Sequence, residues 1–433
     1  MKSEILSKSI SSILFKIGGL CFSYAFYWLI SNQNGAESSG HFFIAMAVLN
    51  VATIISLKGL NTSFLKQVSK YRESSKNYIK WVRKVSFNYV VPSSIVLTVI
   101  VFLCADLIAC RIFNDCKAAA SVKIISIGIL PFSLFSFYSE GFRGLKQIKL
   151  YELMSSSLRF IVAVIVLIVS ANIFAFQLNP AVAILVGIIL TFIISYFFWI
   201  KYESEIKNKS NIKIDAFEIK KLYKVSNKFF FASSVSFVNN WGTTFFLGIL
   251  GSITDVGIYN IAMKIAMLTK LPLLSVNAIA APKFAEDSSI KSKQSALLRA
   301  TKYIFFSSLP LVLVLLVFNE SILKLFGSEF TQGSSALMFL LAGQLIAALA
   351  GSVGHYLQMT EGENQFQRGV TFSLLINVAL CMLLIPSLGI VGASIANMLA
   401  VGYRNVYFVY IIYRRDKVLT VYYPRISTWR RDD

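Results

Sequence analysis

Seven basic residues stand inside stretches that are otherwise almost purely apolar: Lys16, Lys58, Lys123, Arg159, Lys264, Lys270 and Arg404. A cation in that setting costs at least about 2.5–3.5 kcal/mol at the centre of a membrane helix, so it faces a cavity, a partner or the nearest polar surface. Two acids lie in the same stretches, Glu140 and, at the first position of its stretch, Glu152, so pairing among them cannot neutralise all seven. The chemistry on offer is attraction of an anion, with some of the cations hydrated. Lys58, Lys123 and Arg404 lie close enough to stretch ends for their long side chains to snorkel toward water. Lys16 and Arg159 sit one and a half to two turns in. Lys264 and Lys270 fall seven and thirteen residues into their stretch, the latter near its middle.

Polar and aromatic side chains accompany these cations. Asn239, Asn240 and Trp241 form one run, Asn260 and Asn277 flank the two lysines, and Tyr24, Tyr27 and Gln344 lie in further apolar stretches. Amides suit sugar hydroxyls and flat rings suit sugar faces, so the combination fits a binding cavity. Lys264, Arg159, Lys270, Lys16, Asn240 and Trp241 are the candidate substrate-binding residues. Hydrogen bonding between helices and ring packing are the ordinary roles of any single one.

Enzyme chemistry is poorly provided for. There is no GxxxxGK[ST] phosphate loop, no HExxH, no GxSxG and no Cys/His pair at ligand spacing. His41 and His355 are the only histidines. For His355 the choice is between a hydrogen-bonded packing residue and a proton carrier. No cofactor, no metal and no catalytic residue is expected. Cys110 and Cys116 lie in one short loop and could bridge.

The elements that position these residues follow from composition. Apolar residues make up 56% of the 433 and charged residues 15%, against roughly 25% charged in a soluble domain. Stretches of about twenty apolar residues recur throughout, each enough to cross roughly 30 Å of hydrocarbon. Without water to satisfy the backbone they must be helices. The expected spans are 11–31, 41–60, 85–105, 120–141, 152–170, 180–200, 229–250, 257–281, 303–318, 335–356, 369–385 and 390–411. The span at 303–318 looks short. The fold class is all-α integral membrane, with about twelve transmembrane helices. The first span is too long for a signal-peptide core and reads as an uncleaved helix.

The net charge of +21 invites a nucleic-acid reading, and its placement argues against one. Connecting segments on the side of the termini hold 32 Lys and Arg, while the opposite side holds only Arg111, Lys117 and Lys324. That asymmetry is the positive-inside pattern and places both termini in the cytoplasm.

The chain also repeats. Gly40-His-Phe-Phe-Ile-Ala-Met46 opens the second span and Gly257-Ile-Tyr-Asn-Ile-Ala-Met263 the eighth, 217 residues later. Lys84-Val-Ser-Phe87 with Pro92 recurs as Lys302-Tyr-Ile-Phe305 with Pro310 at an offset of 218. The repeat unit is therefore six helices, an even number, and the halves share one orientation. The domains are expected to be a six-helix lobe over 1–200, a cytoplasmic linker over 201–228, a second six-helix lobe over 229–413 and a basic tail over 414–433. Part of the linker, from Asp215 to Lys228, has apolar residues at helical spacing that suit the membrane surface.

Four segments then carry a family resemblance. Thr254-Asp-Val-Gly-Ile-Tyr-Asn-Ile-Ala-Met-Lys264, Pro282-Lys-Phe284, Leu325-Phe-Gly327 with Phe330, and Leu388-Gly-Ile-Val-Gly-Ala-Ser-Ile-Ala396 resemble Wzx-type polysaccharide-repeat flippases. That superfamily also holds the multidrug and toxic-compound extrusion transporters and the lipid II flippases. The resemblance implies two bundles around a central cavity, with Lys16, Asn240 and Lys264 on helices that line it. It implies an undecaprenyl-pyrophosphate-linked oligosaccharide, an O-antigen or similar repeat unit, moved from the cytoplasmic to the periplasmic leaflet of a bacterial inner membrane. Coupling to H+ or Na+ and alternating access belong to the same expectation. The implied partners are membrane lipids and other polysaccharide assembly proteins, with no nucleic acid.

Three other readings compete. A multidrug extrusion transporter shares the fold, but its mostly cationic substrates call for membrane carboxylates. A lipid II flippase usually has two more helices than this length allows. An O-antigen polymerase should show a large external loop, and the external loops here are short.

Overall fold

The structure, a computed structural model, describes residues 2–173, 177–206, 216–285, 289–417 and 420. Among them there is helix and connecting turn but no strand. The main helices are α1 (Lys2–Leu57), α2 (Leu60–Tyr71), α3 (Lys76–Leu103), α4 (Ala118–Ser126), α5 (Ile129–Gly144), α6 (Leu158–Ile173) and α7 (Pro180–Glu205). The series continues with α8 (Ala216–Leu250), α9 (Ile253–Met267), α10 (Leu271–Ala285), α11 (Ile290–Val317), α12 (Ser334–Ala350), α13 (Val353–Met359) and α14 (Glu363–Asp416). Seven described helices are long and apolar enough to cross a membrane, and α4 with α5 forms an eighth, bent by 52°. Every expected span falls on helix. The short one at 303–318 lies within the 28 residues of α11.

Sequence signals account for several starts. Ser75 caps α3 by accepting from the Tyr78 N–H, and Ser289 caps α11 by accepting from the Ser292 N–H. Asn179 accepts from the Ala181 N–H at 2.9 Å, with Pro180 at the first position of α7, where its missing N–H costs nothing. Two long helices are each broken once. In α1 the break is Gly35, at φ 75°, and in α14 it is Gly389, at φ 52°. Both are left-handed values that suit glycine. Each long helix therefore comprises two of the expected spans.

The order of breaks repeats along the chain. The turn at Gly35 has its counterpart in the gap between α8 and α9, and Pro92 inside α3 has its counterpart in Pro310 inside α11. The segment expected to have helical spacing over 215–228 is helical from Ala216 and runs without a break into span seven. Residues 207–215 and 421–433, in the expected linker and tail, lie outside the described residues.

The chain forms two compact units. The first comprises Met1–Asn260 with Leu325–Glu329, and the second Ile261–Lys324 with Phe330–Asp433. An aromatic core holds the first, with Phe64 stacked on Phe137 at 4.3 Å and Trp199 5.2 Å from Phe64. The second is centred on Phe284, Tyr356, Phe408 and Ile412. Large apolar side chains also face outward: Leu103 is 72% exposed, Val317 73% and Leu383 71%. Water would oppose that arrangement and hydrocarbon favours it, so this is a multi-pass membrane protein.

Two glycines allow one close crossing in the first unit. A Cβ on Gly40 would stand 2.0 Å from the Ile253 carbonyl oxygen, and one on Gly257 would stand 2.1 Å from that of Ala36. The two glycines that mark the sequence repeat thus let the second arm of α1 and the start of α9 touch backbone to backbone. The short segment 325–329 docks on the same region. Asn32 donates to the Leu325 carbonyl at 2.8 Å, and the Glu329 carboxylate accepts the Ala36 N–H at 2.9 Å.

Candidate functional site

Of the six candidate residues, Lys16, Arg159, Asn240 and Trp241 belong to the first unit, and Lys264 and Lys270 to the second. Arg159, near the start of α6, sits among aromatic rings. Its guanidinium lies 5.0 Å from the Phe160 ring, 5.5 Å from Phe132 and 5.9 Å from Phe135. Its Nε is buried and has no hydrogen-bond partner among the described residues. Tyr27, close enough to interact electrostatically with Arg159, joins Phe26, Phe43 and Phe160 in one ring cluster. Cation–π attraction holds the charge there without neutralising it, so Arg159 keeps an unspent positive charge.

Lys16 is exposed on α1 and close enough to Glu152 to attract it. Asn240 is exposed on α8, its amide donating to the Ser236 carbonyl one turn back at 2.9 Å. Trp241 follows it, half-buried. Asn260 serves packing: it accepts from Thr244 at 3.1 Å and donates to the Val256 carbonyl. Asn277 accepts from Ser352 and lies 3.2 Å from His355 Nδ1.

The second unit brings Lys270 beside a residue that lies far away in sequence. Lys270 and Arg404 line one cavity of about 170 Å³ together with Thr269, Ser308, Gln344 and Asn405. Lys270 is within electrostatic reach of both Arg404 and Lys264. Lys264 is half-buried on α9. Sequence reasoning treated Arg404 as a cation able to snorkel at a membrane face. The structure turns it inward, and only the depth of Lys270 hinted that a polar cavity existed.

The remaining cations find partners. Lys123 pairs with Asp106 at 2.7 Å, an acid just outside the apolar stretch, and Lys58 lies 5.2 Å from the Tyr89 ring. Cys110 and Cys116 are joined by a disulfide. Beside it His41 Nε2 lies 3.0 Å from Asp115 and Lys117 lies 2.9 Å from Glu37. Burial would raise the Asp115 carboxyl, but hydrogen bonds from His41 and the Lys117 N–H outweigh it and hold Asp115 below the usual carboxylate range. Glu37, His41 and Asp115 have ligand atoms within 4.8 Å of one another, the grouping among the described residues that could hold a metal ion. The two ion pairs already satisfy it.

Residues 5–287 match the family described as polysaccharide biosynthesis protein. The chain belongs to this family. A curated relative, the probable low-salt glycan biosynthesis flippase of Haloferax volcanii, is 27% identical over 185 residues, which is 42% of this chain and 39% of that protein. The match therefore spans well under two thirds of that relative's length. Among solved structures, the lipid II flippase MurJ in an inward closed conformation superposes with a TM-score of 0.75 and 17% identity, over 94% of this chain and 87% of that one. An inward-facing multidrug resistance MATE family transporter of the MOP superfamily gives 0.73 and 14%, over 95% and 98%. At those identities the two establish a shared fold. The resemblance to polysaccharide flippases read from the sequence is borne out at the level of the family, and these relatives are transporters and flippases rather than enzymes.

Proposed function

We propose that this member of the polysaccharide biosynthesis family is a flippase for an undecaprenyl-pyrophosphate-linked oligosaccharide, carrying the repeat unit of an O-antigen or similar surface polysaccharide from the cytoplasmic to the periplasmic leaflet. The observation that carries the reading is Arg159: a guanidinium enclosed by aromatic rings, with a buried Nε that has no hydrogen-bond partner among the described residues. A diphosphate cannot cross hydrocarbon unaided, and cations with amides and rings would replace its hydration while the lipid tail stays in the bilayer. Lys264, Arg159, Lys16, Asn240 and Trp241 are proposed to meet the head group in turn, with Lys270 adding positive potential. A few separated cations hold such a group loosely enough to release it. The multidrug alternative needs carboxylates where this chain has cations.

The chain is proposed to sit in a bacterial inner membrane with both termini cytoplasmic. The Cys110–Cys116 disulfide supports placing its loop on the oxidising side. The functional division is proposed to follow the repeat, with lobes over 1–200 and 229–413, a linker over 201–228 and a tail over 414–433. Alternating access, driven by H+ or Na+ and in contact with other polysaccharide assembly proteins, completes the proposal.

The test is complementation of a flippase-deficient strain, scored as surface polysaccharide against protein level. Lys264→Ala and Arg159→Ala should lose transport while the protein accumulates. Lys264→Arg and Arg159→Lys should keep part of it, because the charge survives and the geometry changes. Lys264→Glu should be worse than Ala, since it repels the same anion. Normal polysaccharide from the Ala variants at both positions would end the proposal.

A further inference from the structure

The cavity in the second unit has an unusual chemical balance. Twelve residues line it, and none is Asp or Glu. Three of its polar groups are already committed to backbone carbonyls. The Thr269 hydroxyl donates to Ala266, the Ser308 hydroxyl to Thr269 and the Asn405 amide to Val401, at 2.7, 3.2 and 2.8 Å. What remains uncommitted is Lys270, Arg404 and Gln344, none of which makes a hydrogen bond or ion pair with the described residues. Lys270 offers three donors and no acceptor, and Arg404 five and none. The Gln344 Oε1 is buried and has no hydrogen-bond partner among the described residues. Two like charges on different helices, α14 and the short turn 268–270, are thus directed at one small space, rich in donors and poor in acceptors.

Like charges held together in a membrane interior repel strongly, and the guanidinium cannot relieve this by losing its proton. A bound anion relieves it while leaving both groups charged. We infer that Lys270 and Arg404, with Gln344, form a binding site for one compact anion within the second unit. The size of the cavity sets the class of ligand. About 170 Å³ compares with a cavity of roughly 150 Å³ that accepts benzene. Chloride or a phosphate group enters with a few waters, and an oligosaccharide does not. The shared chemistry is a small anionic head, whether a free inorganic ion or the phosphate of a lipid carrier.

The site shares Lys270 with the proposed flippase reading, but anion binding here does not require that reading. Full-length protein in detergent is tested by its thermal midpoint in sodium chloride, sodium phosphate or sodium gluconate at equal sodium and ionic strength. Gluconate is too large for the cavity and serves as the reference. Chloride or phosphate should raise the midpoint saturably, as binding to the folded state requires. Lys270→Met and Arg404→Met should each weaken the apparent affinity at least tenfold, and Arg404→Lys should fall between them and the wild type. Lys123→Gln, whose lysine pairs with Asp106 elsewhere, should respond like the wild type. A polyprenyl phosphate that competes with chloride identifies the anion as the carrier's, and one that does not identifies it as a free ion. Both outcomes keep the site. Identical midpoints in the three salts overturn it, as does a saturable response that survives in both Met variants. Complementation reads transport and this titration reads the site, so each can fail without the other.

Discussion

Substituting Gly257 tests whether the repeated glycines exist for the crossing they make. A Cβ at Gly257 would stand 2.1 Å from the Ala36 carbonyl oxygen and 3.0 Å from the Gly40 N, and one at Gly40 would stand 2.0 Å from the Ile253 oxygen. Ordinary contact begins near 3.4 Å, so one added methyl must push the helices apart by about 1.3 Å locally. The obstacle is backbone on both sides, and no flexible side chain can swing away. Overpacking of that kind costs about 1–3 kcal/mol, and helical alanine recovers roughly 1 kcal/mol of it by its better propensity. Gly257→Ala should therefore destabilise by up to about 2 kcal/mol and Gly257→Val by more.

The pair must also couple. Once one methyl has separated the helices, a second at Gly40 enters space already opened, so Gly40→Ala/Gly257→Ala should cost clearly less than the two single costs together. The assay is the thermal midpoint of purified variants in one detergent, with polysaccharide complementation beside it. Unchanged stability in both single variants, or strict additivity in the double, would refute the close crossing as the reason for glycine at these positions.

Other expectations follow from single contacts. Glu329→Ala removes the carboxylate that accepts the first free N–H beyond the Gly35 break, and should cost about 1 kcal/mol, with Glu329→Gln losing less. Arg83 pairs with Glu203, which is only 7% exposed, at 3.2 Å. Arg83→Gln strands that carboxylate and should cost about 3–5 kcal/mol, and adding Glu203→Gln should recover most of it; a double variant as weak as the single one would contradict this. Asp115 is held below the ordinary carboxylate value of 3.8, so the stabilisation it supplies is complete above that value and disappears as pH falls through its own lower one. Asp115→Asn should therefore flatten the acid limb of a stability–pH profile below about pH 4.

The helices were legible because hydrocarbon leaves the backbone no alternative, so a count of apolar residues locates nearly every one. Their continuity was not. Nothing in the composition of 201–228 distinguishes a surface helix from the first turns of α8, since Lys-rich helix suits both settings. The short span at 303–318 was misjudged in length for a related reason. Residues such as Lys302 and Arg299 end an apolar stretch without ending a helix, and α11 simply continues through them to Ile290.

The cations show where sequence reasoning stops. Position along a stretch sets how deep a charge lies, and depth was enough to single out Lys270 and Arg159. It does not set which way the side chain turns, because rotation about the helix axis is decided by the neighbouring helices. Lys123 and Arg404 lie near stretch ends alike, yet Lys123 meets Asp106 outside the apolar stretch while Arg404 faces the cavity of Lys270. The distinction rests on α12 and α11, which supply Gln344 and Ser308 to the same wall. A residue with no acid within reach in sequence gains its meaning from helices that fold against it later. For this chain that is why the anion-directed pair, formed by residues 270 and 404, could be seen only after the second unit was assembled.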